Sequence, residues 1–181
     1  MMCGIVSGIK LDNKFIAGSN IHIVFYTWDP FDELQNSDGS RVLPIDQFIT
    51  GPKKTILKPG EILSAVRVKI PPAKTIQHFE KVGKREALAI AVASFAALVE
   101  LADNGSIASA RFAWGSIGPT VFVSQEINDA VVGRRLDEKT LDEAGSLLNK
   151  LVNPIDDVRA TAEYRRLVAS RLMLRLLNRS V

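Results

Sequence analysis

Residues 92–115 read VASFAALVELADNGSIASARFAWG, and the fold turns on how this stretch is parsed. Ala87 to Leu101 is apolar and Ala-rich, so periodicity alone fits either a helix or a strand. The next dozen residues decide between the two. Asn104-Gly105 is the kind of pair that tolerates the left-handed backbone of a tight hairpin turn. Residues 107 to 114 then alternate. Ala108, Ala110, Phe112 and Trp114 share one face, with Ser109 and Arg111 on the other. The pattern predicts an antiparallel hairpin over 92–102 and 106–115, after which Gly115, Gly118 and Pro119 break the sheet.

Outward from the hairpin the signals stay legible. Val66, Val68 and Ile70 alternate with Arg67 and Lys69, a half-buried strand over 62–70 that Pro71-Pro72 stops. Residues 77–82 read as another short strand. Downstream, Ser124, Asp137 and Thr161 each stand where a helix needs an N-cap. Glu126 and Glu163 fall in first turns, Gly133 just past the first helix, and Asn153-Pro154 past the second. Leu141, Ala144, Leu148, Leu151 and Val152 form one apolar stripe; Ala169, Leu172, Met173, Leu176 and Leu177 form another. Strands followed by helices predict an α+β fold: a small antiparallel sheet packed, on one face, against a three-helix layer.

Residues 1–47 look different. They hold short pieces separated by Gly4, Gly8, Gly18 and Trp28-Asp29-Pro30, with one strand predicted over His22 to Thr27 and a turn at Asp38-Gly39. This segment reads as an incomplete module ahead of a domain over 48–181.

Composition bounds the rest. The chain has 181 residues, 46% hydrophobic and 24% charged, enough to bury a core. Its 23 basic residues are interspersed with 20 acidic ones, and a net charge of +3 does not point to nucleic acid. No apolar run approaches the roughly 20 residues that span a bilayer. Met1 to Lys10 lacks the pattern of a signal peptide. The one cysteine, Cys3, leaves no internal disulfide and fits a reducing compartment, which predicts a cytoplasmic protein. One Cys and two His do not make an ordinary zinc set.

Three polar constellations have competing readings. Gly51-Pro52-Lys53-Lys54-Thr55 lacks the spacing of a phosphate-cradling loop and reads as a solvated turn. His78 to Arg85 ends a strand with three cations and a glycine, either a plain exposed strand end or a set that faces an electron-rich ring or a phosphate. Asp156-Asp157-Val158-Arg159 is either an acid/base pair or, more in keeping with adjacent residues, a structural turn closed by Asp and Arg. The arginines at 159, 165, 166, 171, 175 and 179 read as a solvated helix face. No Ser-His-Asp or Cys-His set is legible.

Four ordered blocks resemble a known family. They are Phe48-Ile49-Thr50-Gly51-Pro52 with Leu57-Lys58-Pro59-Gly60-Glu61-Ile62-Leu63; Phe79-Glu80-Lys81-Val82-Gly83-Lys84-Arg85-Glu86; Ala110-Arg111-Phe112-Ala113-Trp114-Gly115 with Pro119-Thr120; and Pro154-Ile155-Asp156-Asp157-Val158-Arg159-Ala160-Thr161-Ala162-Glu163-Tyr164-Arg165-Arg166. Together they resemble the C-terminal domain of the FAD-binding (medium) subunit of molybdenum hydroxylases, the family of xanthine dehydrogenase and aerobic carbon monoxide dehydrogenase. The resemblance covers residues 40 to 179.

That resemblance implies an FAD-containing electron carrier, an oxidoreductase component that works beside an iron–sulfur subunit and a molybdenum-cofactor subunit. It implies that Leu63 lies against the flavin ring, that Lys81 faces the flavin, and that Arg85 is a basic residue beside it. Leu88 and Ala89 stand where animal xanthine dehydrogenases carry acidic residues. The family's FAD is held chiefly by a Gly-rich N-terminal module, for which this chain is too short, so the isolated chain is expected to bind FAD weakly or not at all and to be inactive alone. A different class of reading is a non-catalytic interaction domain that kept the fold, lost FAD, and buries its uncovered face in a homodimer or a partner subunit.

Overall fold

The computed structural model describes residues 3–7, 20–28, 30–69, 71–72, 75–85 and 89–179. In chain order these form β1 (Cys3–Ser7), α1 (Asn20–Thr27), β2 (Phe31–Asn36), β3 (Gly39–Pro44), a 3-10 turn at Ile45–Gln47, β4 (Ile49–Gly51), β5 (Lys54–Thr55), β6 (Ile62–Lys69), β7 (Thr75–Gly83), β8 (Ala91–Leu101), β9 (Ile107–Gly115), β10 (Phe122–Val123), α2 (Gln125–Val131), α3 (Glu138–Leu151), α4 (Ala162–Met173) and a 3-10 turn at Leu174–Asn178. The class is α+β, with antiparallel sheets and three C-terminal helices.

The Asn104-Gly105 turn closes the hairpin where the alternation predicts it. Strands β8 and β9 pair antiparallel from Ser94↔Gly115 to Leu101↔Ile107. With β10 outside β9 and β7 outside β8 they make a four-stranded sheet. One face presents Phe95, Phe112 and Trp114, all buried, with ring centroids 5.4–5.9 Å apart. Leu141, Leu148, Leu172, Met173 and Leu176 close that core from the helices. The indole Nε1–H of Trp114 donates to the Ala169 carbonyl at 3.3 Å, which supplies the partner a buried indole needs. All three caps form as the residue types require. The Ser124, Asp137 and Thr161 side chains accept from the backbone N–H of Ile127, Thr140 and Tyr164. Leu151 and Leu177, at the ends of their stripes, stay exposed.

One expectation about the N-terminal part needs correction. The strand expected over His22 to Thr27 is the helix α1. Ile23 and Tyr26, three residues apart, bury together against Ala96, Ala113 and Ile45. A floor of small residues accepts a helix stripe there, and packing overrides the β-propensity of Ile, Val, Phe and Tyr. The sheet is therefore covered on both faces, by α2–α4 on one and α1 on the other. The described residues also form a further antiparallel sheet of order β1-β6-β2-β3. The Asp38-Gly39 turn joins β2 to β3, with Asn36 Oδ1 accepting from the N–H groups of Asp38 and Gly39. Strand β2 also pairs with β6, so residues on both sides of position 48 share this sheet. Leu34, Leu43 and Phe48 form its apolar cluster. The basic Gly51–Thr55 stretch is the exposed β4–β5 turn.

Candidate cofactor-facing site

Strand β7 is an edge strand whose side chains part to two faces. His78 and Glu80 point to the helix side. His78 is buried beside Phe95, and its Nδ1 accepts from Arg179 Nε at 3.1 Å. Glu80 approaches Arg175 at 3.4 Å. Burial, with Arg179 next to it, lowers the His78 pKa below its ordinary value, against the pull of Glu80. His78 is thus a core histidine and not a ligand-facing one.

The alternate residues and the strand end carry the cations. Lys81 is half-buried, paired in register with Ser94, and its Nζ donates to the Ala89 carbonyl at 3.0 Å. The chain returns closely over the strand end here. A Cβ at Gly83 would lie 2.5 Å from the Ala89 Cβ, a distance that only glycine accommodates. Lys84 and Arg85 come next, in an exposed bend. Lys84 Nζ donates to the Val158 carbonyl at 2.7 Å.

Val158 belongs to the Asp156–Arg159 stretch, and the structural reading of that stretch holds. Asp157 accepts from the backbone N–H of Arg159 and Ala160 and from both guanidinium groups of Arg159 and Arg165. The Arg159 side chain first, then its backbone N–H, Arg165 and the Ala160 N–H, hold the Asp157 carboxyl well below the usual carboxylate range, against the opposing effect of burial. Asp156 Oδ1 accepts from the Ala162 N–H at the start of α4.

Arg165 overturns the expectation of a uniformly solvated arginine face. It is 2% exposed, and its Nη1 donates to the carbonyls of Val92 and Ser116, at 2.6 and 2.9 Å. Nothing in the spacing of the arginines separates it from its exposed neighbours. Only the preceding Asp157, which must face something cationic, offered a signal.

The structure brings Lys81 and Arg85 to the same strand end. Leu63 belongs to the other sheet, opposite Leu34 on β6 and half-buried against the Leu34–Leu43–Phe48 cluster. Among the described residues, no group of three or more His, Cys, Asp or Glu side chains is placed to hold a metal. No helix among them is long and apolar enough to cross a membrane.

Residues 78–180 match the family described as the CO dehydrogenase flavoprotein C-terminal domain, more than half of the chain. The chain belongs to this family. The match begins at His78, so Lys81, Lys84, Arg85 and the Asp157–Arg165 network lie within it and Leu63 lies ahead of it. Among curated proteins, the carbon monoxide dehydrogenase medium chain of Afipia carboxidovorans is 30% identical over 82% of this chain and 51% of its own length. The xanthine dehydrogenase FAD-binding subunit of Escherichia coli O157:H7 is 32% identical over 74% of this chain and 46% of its own. A crystal structure of the Cu,Mo-CO dehydrogenase in its cyanide-inactivated form matches with a TM-score of 0.84 and 26% identity, covering 92% of this chain and 58% of that one. The chain spans about half the length of the curated relatives it matches.

Some of the relatives, the xanthine dehydrogenase FAD-binding subunit among them, carry FAD in their names. The chemistry of the strand-end residues suits an anionic or electron-rich group. Two cations stand exposed beside a third whose ammonium spends one of its three N–H donors on Ala89, and the tight Gly83 backbone brings all three to one edge of the sheet. A flavin gains negative charge on reduction, and cations suit it there.

Proposed function

We propose that this chain serves as part of the FAD-binding medium subunit of a molybdenum hydroxylase of the xanthine or carbon monoxide dehydrogenase type, and takes part in electron transfer through flavin to an acceptor. The observation that carries this reading is the convergence of Lys81, Lys84 and Arg85 at the end of β7, inside the matched domain. FAD, when bound, supplies the redox chemistry. Lys81, oriented by the Ala89 carbonyl, faces the ring, and Arg85 offsets the negative charge that reduction adds. Leu63 gives an apolar contact from the neighbouring sheet. The relatives' names, medium chain and FAD-binding subunit, support a multi-subunit setting; the family resemblance adds a molybdenum-cofactor subunit and an iron–sulfur subunit as the partners.

In this reading the chain holds the ring end and not the dinucleotide end of FAD, so affinity is modest. Titration with FAD, followed by flavin fluorescence, gives a Kd above about 1 µM. Lys81→Met and Arg85→Met each raise it by about tenfold or more. Riboflavin competes, because it carries the ring without the adenylate. Equal affinity of wild type and both variants, or no competition by riboflavin, overturns the assignment. Sub-micromolar binding would mean that residues ahead of β7 form a dinucleotide cradle.

A further inference from the structure

Residues 154–160 have no regular secondary structure, yet their polar groups are closely spoken for. The Asp157 N–H donates to the Ala160 carbonyl, and the Asp157 carboxylate binds two backbone N–H groups and two guanidinium groups. Arg165 roots that carboxylate in the body of the domain, reaching the start of β8 at Val92 and the turn after β9 at Ser116. A charge-assisted network rooted in one buried arginine fixes a loop more firmly than apolar packing at its tip would. The tip has no such packing, since the Val158 side chain is 93% exposed. What Val158 offers the domain is its carbonyl oxygen, and Lys84 takes it.

A lysine head at a surface bend ordinarily samples many rotamers, and a hydrogen bond holds it only if the acceptor is itself immobile. The acceptor here is one residue from the carboxylate that Arg165 anchors. We propose that Asp157, fixed by the buried Arg165, is a positioning residue that sets the placement of Lys84 and Arg85 at the end of β7 through the Lys84–Val158 hydrogen bond. What those cations are positioned for rests on the flavin reading above; the mechanical link itself does not. The sequence separates the partners by more than seventy residues, so the coupling is invisible without the fold.

Amide hydrogen exchange on the full chain tests it. Lys84→Met removes the donor at an exposed site, so the fold and its urea midpoint stay as in wild type. The amides of Lys84, Arg85, Ala89 and Ile90 exchange about tenfold faster, while those of 96–101 in β8 keep their rates. Lys84→Arg, which keeps a donor, restores slow exchange. Asp157→Asn reproduces the Lys84→Met pattern, and the double variant exchanges no faster than the faster single, because both act through one contact. Wild-type rates in Lys84→Met, failure of Lys84→Arg to restore them, or multiplicative effects in the double variant overturn the proposal. If exchange responds as described while the FAD affinity of Lys84→Met equals that of wild type, positioning stands and the flavin reading is what fails.

Discussion

Gly115 and Ile23 meet so closely that a Cβ at Gly115 would stand 2.3 Å from Ile23 Cδ1 and 2.6 Å from the buried Ser94 hydroxyl. Helix α1 reaches the sheet because this strand position carries no side chain. Gly115→Ala is therefore expected to lower stability by about 1–3 kcal/mol, the usual cost of overpacking. Ile23→Val, which withdraws Cδ1, should recover part of that loss. Chemical denaturation of the single and double variants checks this, and additive losses would show that the contact is not what the alanine strains.

Asp32 should make the first sheet less stable as pH rises. It is 1% exposed, neither carboxylate oxygen has a hydrogen-bond partner among the described residues, and burial pushes its pKa up to about 7 from an ordinary 3.8. Tyr26 interacts with this carboxylate, and its phenol is raised, by burial first and by Asp32 and then Asp46 after it. A raised carboxyl pKa means that the folded state holds its proton longer. Its contribution is present at low pH and is lost as pH climbs from the ordinary value to about 7. Asp32→Val should stabilise by about 1–3 kcal/mol at pH 8 and by much less at pH 4. Urea midpoints at the two pH values measure the difference; equal gains at both would contradict it.

His78 contributes with the opposite slope. Its folded pKa lies below the unfolded one, so protons favour the unfolded chain, and stability falls as pH drops below about 6.5. Protonation would also place a hydrogen on Nδ1, where Arg179 Nε now donates. In an Asp32→Val background, which removes the competing slope, stability should decline from pH 7.5 to 5.5. His78→Gln, able to accept from Arg179 without ionising, should flatten that decline. An unchanged slope in His78→Gln would assign it elsewhere.

Arg165→Met is expected to cost roughly 3–5 kcal/mol, because it takes one guanidinium from the Asp157 carboxylate and leaves the Val92 and Ser116 carbonyls without their arginine donor. Arg166→Met, one residue along, breaks only a part-exposed bond to Asn153 and the Val152 carbonyl and should cost less than 1 kcal/mol or so. Thermal melts of the pair read the contrast directly; similar losses would contradict the special place of Arg165.

How much of the fold the sequence disclosed depends on how local each signal is. The β8–β9 hairpin, its Asn-Gly turn and the three helix caps depend on residues a few positions apart, and each could be read off the chain. The sheet made by β2, β3 and β6 depends on strands some thirty residues apart, and Asp32 on its inner face spoils the alternation that would mark β2. The residues of α1 carry strand-like side chains, and only the small-residue floor at Ala96, Ala113 and Gly115 makes them a helix. At the candidate site, Lys81 and Arg85 stand out through the family resemblance and not through their spacing. The burial of Arg165 was hidden because it arises from three acceptors that only the fold assembles.

Whether the end of β7 receives a flavin ring can be read residue by residue, from backbone-amide NMR of the labelled chain during addition of FAD. Shifts are expected to concentrate at Lys81, Gly83, Lys84, Arg85 and Ala89, and riboflavin is expected to reproduce them. Shifts confined to other regions, such as the first turn of α3, or no shifts at FAD concentrations well above 1 mM or so, would contradict a flavin site at this strand end.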